Sequence, residues 1–320
     1  MRLLNKSQEP LKLRILLSYW YFKDTDLDAM LSKYFSEPYP DIFADSGAYS
    51  AMTQGSAVNI REYSEWLKRY RHLFKVYANL DVIMDPRATL RNQEWLEDQG
   101  LAPLPAFHVR EDWEWLESYV SRYSYIALGV AGMQNRRKEI MSWLTRCFKI
   151  AGKKAVFHGF GLTSWPVISN FPWYSVDSSS WGQGFRFGVV PIFDPYRGRF
   201  HKLHLGDRQA WARYASLVTS LGFDPHDFAD RQRNDRAKIC AISALSFMRA
   251  ESWLRGRFGE ICIPNRPETE SGLRVHLADG STSNLSDADK GIKTYLAESR
   301  SEARDIRNAQ GYIDAQESSL

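Results

Sequence analysis

The stretch Phe43-Ala44-Asp45-Ser46-Gly47-Ala48-Tyr49-Ser50 decides how this chain is read. Ile42, Phe43 and Ala44 form an apolar run that ends on a carboxylate, and small turn-forming residues follow at once. A buried strand that delivers an acid to the rim of an α/β sheet or barrel has this form. A second stretch repeats it: Tyr174-Ser175-Val176-Asp177-Ser178-Ser179-Ser180-Trp181. Whether Asp45 and Asp177 belong to one site depends on the fold between them.

Upstream, residues 11–19 read as a first strand and residues 24–35 as a helix. Asp24, Asp26 and Asp28 lie in that helix's first turn, where the positive end of the helix dipole favours acids. Downstream, Tyr63, Trp66, Leu67, Tyr70 and Phe74 fall at helical spacing, which predicts an amphipathic helix over 60–74. Further strands are expected at 74–83, 104–109, 125–130, 154–157 and 174–176, with 189–193 as the eighth. Helical patterns over 89–99, 113–123, 140–148 and 164–170 separate them.

This strand–helix alternation, with no Rossmann glycine fingerprint after the first strand, predicts an α/β fold of the (β/α)8 TIM-like barrel type with additional C-terminal helices. Residues 1–207 would be the barrel catalytic domain and residues 208–263 helices packed on it. Residues 264–320, polar and almost without aromatics, would be a weakly ordered tail. The expected strand ends carry Asp45, Asp81, His108, Gly129, His158 and Asp177, and a barrel gathers such ends on one face.

The 320 residues carry a formal net charge of +4, and 44% are hydrophobic, enough for a sizeable core. Between residues 181 and 264, basic residues outnumber acidic ones. Arg186, Arg197, Arg199 and Lys202, with Arg231, Arg233, Arg236 and Lys238, are candidates in that segment to hold phosphates. The three cysteines are far apart and form no CxxC or Cys/His pattern of zinc spacing, so no structural metal is expected, and no cofactor. Without a disulfide framework, a signal peptide or an 18-residue apolar run, the sequence reads as a cytoplasmic protein that does not enter a membrane.

Asp45-Ser46-Gly47-Ala48-Tyr49 resembles the aspartate–serine–glycine–glycine–aromatic motif of tRNA-guanine transglycosylases. Combined with Ser175-Val176-Asp177-Ser178-Ser179-Ser180-Trp181, it looks closer to a second branch, the 7-deazaguanine DNA transglycosylases (DpdA type) of phages and bacterial modification islands. The resemblance covers roughly residues 12–200, in matching strand order.

The resemblance implies a pentosyltransferase that exchanges guanine in DNA for a 7-deazaguanine base, such as 7-cyano-7-deazaguanine. Asp177 would be the nucleophile and Asp45 the general acid/base. Asp81, Ser46, Gly47, His108, Gly129 and His158 would surround the base. Asp81 would read the N1–H and exocyclic amine of a guanine-like ring, and Gly129 would let the base lie against backbone amides. His108 stands where the tRNA enzymes place a glutamine. The tRNA enzymes also carry a Cys-x-Cys-x-x-Cys zinc site, which this sequence lacks, and that suits the DNA branch. The expected partners are DNA, the 7-deazaguanine base as co-substrate, and either a second copy of the chain or a protein of the modification pathway. A phage-encoded enzyme would work in the host cytoplasm. The alternatives are the same chemistry on tRNA, a non-catalytic nucleic-acid-binding barrel subunit, and a glycoside hydrolase.

The chemistry explains why two acids are needed. Breaking an N-glycosidic bond passes through an oxocarbenium-like transition state, which a carboxylate beneath the sugar stabilises and then traps at C1′. A second, less acidic carboxyl carries the proton. On sequence alone, the hydroxyls of Ser178, Ser179 and Ser180 and nearby amides are the expected support for an ionised Asp177. A base inside a duplex must be flipped out, or presented on a single strand, to reach such a site.

Overall fold

The structure, a computed structural model, describes residues 13–130, 136–162, 164–259 and 261–264, and the backbone of Arg274–Ala278. It is a mixed α/β fold built on parallel strands: β1 (Arg14–Ser18), β2 (Asp41–Asp45), β3 (Phe74–Tyr77), β4 (Ala106–His108), β5 (Tyr125–Gly129), β6 (Val156–Phe160) and β7 (Ser175–Ser178). Two more strands, β8 (Val189–Asp194) and β9 (Arg199–His204), pair antiparallel with each other, and β10 (Arg274–Ala278) comes last.

The main sheet has eight strands in the order β3-β2-β1-β10-β7-β6-β5-β4. Every pairing between neighbours is parallel. The first and last strands of that order also meet. Ala78, just past β3, bridges Leu104, just before β4, in parallel. The Asn79 amide donates to the Leu104 carbonyl at 2.9 Å, and the Leu104 amide to the Tyr77 carbonyl at 2.8 Å.

Successive strand residues point to opposite faces. Ile15, Leu17, Ile42, Ala44, Phe107, Ile126, Leu128, Phe157 and Val176 join the large core beneath the helices. The residues between them, Leu16, Phe43, Ala106 and Ala127, form a second, smaller core with Ala78 and Leu104. Both faces of the sheet are therefore buried, as parallel sheets require. In the second core, rings from non-adjacent strands touch: Phe43 of β2 and His158 of β6 have centroids 4.5 Å apart.

Two expectations about the strands change. Val189–Asp194 is not the eighth parallel strand but half of the antiparallel ribbon. Pro191 was the available signal, since proline cannot donate to a ladder and sits in edge strands, and both strands of a two-stranded ribbon are edges. The eighth parallel strand is instead Arg274–Ala278, inserted between β1 and β7. It comes from the segment read as a polar tail, so the main sheet extends beyond residues 1–207. The rest of that tail lies outside the described residues, as do Leu11 and Lys12 of the expected first strand.

The expected C-terminal helices are present, dominated by Arg236–Phe258, capped by Asp235 through the Lys238 amide. Its buried positions run around the whole helix, including Ser243 and Ser246, so it is an interior helix rather than an amphipathic surface one. The Phe193 amide donates to the Ser246 Oγ at 2.5 Å, which ties the ribbon to it. At the opposite end of the sheet from Asp45, Arg14 of β1 donates to Glu251 of this helix at 2.7 Å and approaches Asp41 of β2 at 3.7 Å. Arg255 also reaches Glu251, at 3.3 Å.

A buried arginine that loses its carboxylate is costly. Glu251→Leu should destabilise the protein by about 3–5 kcal/mol, read as a lower denaturation midpoint. The double variant Arg14→Met with Glu251→Leu should recover part of that loss, the remainder reflecting Asp41 left without Arg14. A double variant as unstable as the single one would show that shape at this contact, not charge pairing, holds the helix to the sheet.

Candidate active site

Asp45 is the last residue of β2 and shares its face with Phe43. The chain then turns through Ser46 and Gly47 into a short helix, Ala48–Thr53. The turn depends on Gly47. Its φ is +73°, and a Cβ there would stand 2.4 Å from the Cβ of Trp20 and 2.5 Å from the Ser18 Oγ. The Gly47 amide donates to Asp45 Oδ2 at 2.9 Å, and the Ala48 amide to the Ser46 Oγ at 3.3 Å. Ser46 is fully buried, so both residues serve the turn that aims Asp45.

Burial is the main reason that the Asp45 carboxyl is pushed up to about 7, and the negative charge of Asp81 adds to it. The Gly47 amide works against the shift, the charge of Asp177 raises it further, and the Ser46 amide again opposes it. Asp45, Asp81 and Asp177 thus act on one another's charge. Two of them come from strand ends, and Asp81 follows β3. Tyr63 lies under the same group. Its hydroxyl donates to the Ala78 carbonyl at 2.8 Å, and burial, with the charges of Asp45 and Asp81, drives its pKa well above the ordinary value.

Asp177 sits in β7 and is 7% exposed. Its Oδ1 accepts from the Gly161 amide at 2.8 Å and faces the Nε2 of His158 at 3.2 Å. The serines expected to support it do not. Ser178 points to the other face of the strand, and its Oγ accepts from the Ser180 amide at 3.1 Å. The support comes instead from the amide after β6 and from a histidine one strand away. His158 is fully buried, and burial lowers its pKa despite the opposing pull of Asp177. Its Nδ1 lies 2.6 Å from the Ser175 Oγ, which lies 2.5 Å from the Tyr125 hydroxyl.

Asp81 and His108 form the other half of the site, with Nε2 of His108 2.8 Å from Asp81 Oδ2. Burial disfavours the charged imidazole of His108, but the Asp81 contact and the charges of Asp81 and Glu111 outweigh it and raise its pKa. Glu111 Oε2 accepts from the His108 amide at 3.1 Å, and burial raises the Glu111 carboxyl. Gly129 makes room for this ring. A Cβ on Gly129 would lie 2.2 Å from His108 Nδ1. The space over Gly129 is filled by the His108 imidazole, not left open for a base. Asp85, the near neighbour of Asp81, is the N-cap of the helix Pro86–Asp98, which leaves Asp81 as the site carboxylate.

Of the basic candidates, Arg186 lies on the short helix Gln183–Phe187, and Arg199 and Lys202 lie on β9. Arg186 follows Asp177 closely and donates to the Ser179 carbonyl at 3.2 Å. Its guanidinium and that of Arg236 both lie over the Phe185 ring, at 5.4 and 4.6 Å from the centroid. Arg197, Arg199 and Lys202 belong to the β8–β9 ribbon, where Arg197 lies 3.7 Å from Asp194.

Sequence reasoning missed Tyr63, Glu111, Tyr125 and Ser175. For Ser175 and Tyr125 a signal existed: they precede Asp177 and Gly129 by even steps and so share their face. Among the described residues, no group of three or more His, Cys, Asp or Glu side chains is arranged to hold a metal ion, and no helix is long and apolar enough to cross a membrane. In comparisons with known proteins, no family model and no curated protein matched the chain.

The raised Asp45 pKa has a stability consequence. Below about pH 4 the carboxyl is protonated in folded and unfolded chains alike. Above that the unfolded chain releases its proton, while the folded chain holds it to about 7. Wild type should therefore lose stability relative to Asp45→Asn as pH rises from ~4 to ~7, and keep that deficit above. Denaturant melts across pH would show this. A difference that does not change with pH would place the Asp45 carboxyl in water.

Proposed function

We propose that the chain is a base transglycosylase acting on DNA, which exchanges guanine for a 7-deazaguanine base such as 7-cyano-7-deazaguanine. The observation that carries this reading is the pairing of a proton-holding Asp45, with its pKa near 7, and an anchored Asp177 in one group of carboxylates. One acid is tuned to carry a proton at neutral pH, and the other is held still.

We also propose that the parallel sheet closes into a (β/α)8 barrel with Asp45, Asp81, His108 and Asp177 at its carboxyl-terminal rim. Three contacts support this. Ala78 bridges Leu104 across the two ends of the strand order. His108, from the last strand in that order, touches Asp81, which follows the first. Phe43 meets His158 although three strands lie between theirs. In an open sheet, with strands about 4.8 Å apart, these side chains would be too far apart to touch.

The reaction then runs as a double displacement. Oδ1 of Asp177 is engaged by Gly161 and His158, so Oδ2 attacks C1′ of the target nucleotide. The C1′–N9 bond breaks, its electron pair leaves with guanine, and the Asp45 carboxyl supplies a proton to the departing base. Asp45, now a carboxylate, takes the N9 proton of the incoming 7-deazaguanine. N9 forms the new bond to C1′ and expels the Asp177 carboxylate. Two inversions give retention, and Asp45 is protonated again at the end. Asp81 accepts from the guanine-like edge of either base, with His108 beside it as a donor. Arg186 and Arg236 hold backbone phosphates near the strand end that carries Asp177.

Incubation with labelled guanine and either DNA or tRNA tests the reading. Label should enter DNA. Asp177→Ala should abolish incorporation, and Asp45→Asn should slow it by about 10²–10⁴-fold. Incorporation into tRNA alone would shift the substrate to RNA, and incorporation undiminished in Asp177→Ala would remove the nucleophile.

A further inference from the structure

We propose that Tyr125, Ser175 and His158 are positioning residues that orient the Asp177 carboxylate through a one-way chain of hydrogen bonds behind it. This deepens the base-exchange reading and rests on it for its catalytic consequence.

The chain has a defined direction. A nucleophilic Asp177 is ionised and offers only acceptor oxygens, so the proton between it and His158 sits on Nε2. A fully buried His158, with its pKa lowered, is neutral, so its Nδ1 carries no proton and accepts. The Ser175 hydroxyl at 2.6 Å must then donate to Nδ1. Its oxygen is left to accept from the Tyr125 hydroxyl at 2.5 Å. Each donor in the series fixes the next, and the last one fixes Asp177 Oδ1 together with the Gly161 amide.

The imidazole is also clamped by packing. Phe43 and Phe160 lie edge-on to it, with centroids 4.5 and 4.9 Å away. It therefore has little room to turn, and its tautomer is set by Ser175. A carboxylate held at one oxygen in this way presents the other in a constant direction, which matters when attack at C1′ must be in line. Of the three, only His158 was expected to bear on the site, and as a contact to the base. In the structure both ring nitrogens are directed to protein groups, Ser175 and Asp177.

The first test does not need activity. In protein labelled with ¹⁵N-histidine, the signal lost in His158→Gln should show the neutral Nε2–H tautomer, and Ser175→Ala should convert part of it to the Nδ1–H form. A wild-type His158 that is doubly protonated, or is the Nδ1–H tautomer, overturns the relay. The second test uses base exchange. Tyr125→Phe and Ser175→Ala should each lower kcat by roughly tenfold, the loss of one buried hydrogen bond, with KM for the incoming base unchanged. His158→Gln, whose amide can still donate to Asp177, should retain more kcat than His158→Leu.

An exchanging wild type whose kcat is untouched by Tyr125→Phe and Ser175→Ala contradicts the proposal, as does a loss confined to KM. If wild type performs no exchange but the tautomer behaves as stated, the relay stands as an anchor of Asp177 and the base-exchange reading fails.

Discussion

Gathering several carboxylates in a partly dry site is unfavourable, and the site is built around the ways of relieving that cost. A charge withdrawn from water must be neutralised, paired or hydrogen-bonded. The three acids use three different solutions. Asp45 holds its proton until about pH 7. Asp81 takes the imidazole of His108, whose own charge it promotes. Asp177 takes an amide and a fully buried histidine. The three environments differ, so the residues have different chemistry although they are the same amino acid.

The backbone enforces this division. Gly47 lets β2 turn so that its own amide meets the Asp45 carboxyl, and neither its dihedral angle nor its surroundings admit a side chain. Gly129 leaves room for the His108 ring, which holds the ring against Asp81. On the far side of the sheet the Arg14–Glu251 pair joins β1 to the interior helix Arg236–Phe258, which also carries the β8–β9 ribbon. Arg186 and Arg236 are held by the same part of the molecule, since Arg236 opens that helix and lies over Phe185 with Arg186.

Much of this was legible in the sequence because parallel strands announce themselves as short apolar runs that end on a polar residue. Ile42-Phe43-Ala44-Asp45 and Ser175-Val176-Asp177 are such runs, and the structure places both acids in one electrostatic group. The pairing of strands was less legible. Val189–Asp194 is as apolar as a central strand but pairs in a ribbon, and Arg274–Ala278 has charged or polar residues in alternation yet lies between β1 and β7. Apolarity reports burial and not the neighbour. Partnerships across strands were the least legible. Nothing local to His158 points to Ser175, 17 residues away, and nothing local to His108 says that its ring will cover Gly129. Those contacts exist only once the register of adjacent strands is set.

We propose that Asp177 attacks C1′ while Asp45 carries the proton. This is tested most directly by trapping the intermediate. A guanine-containing oligodeoxynucleotide would be mixed with the protein in the absence of any incoming base, quenched in denaturant, digested and mapped by mass spectrometry. A deoxyribose adduct on the peptide that contains Asp177 is expected, accompanied by one equivalent of released guanine. An adduct on Asp45 instead, or guanine release with no adduct on any peptide, would contradict it.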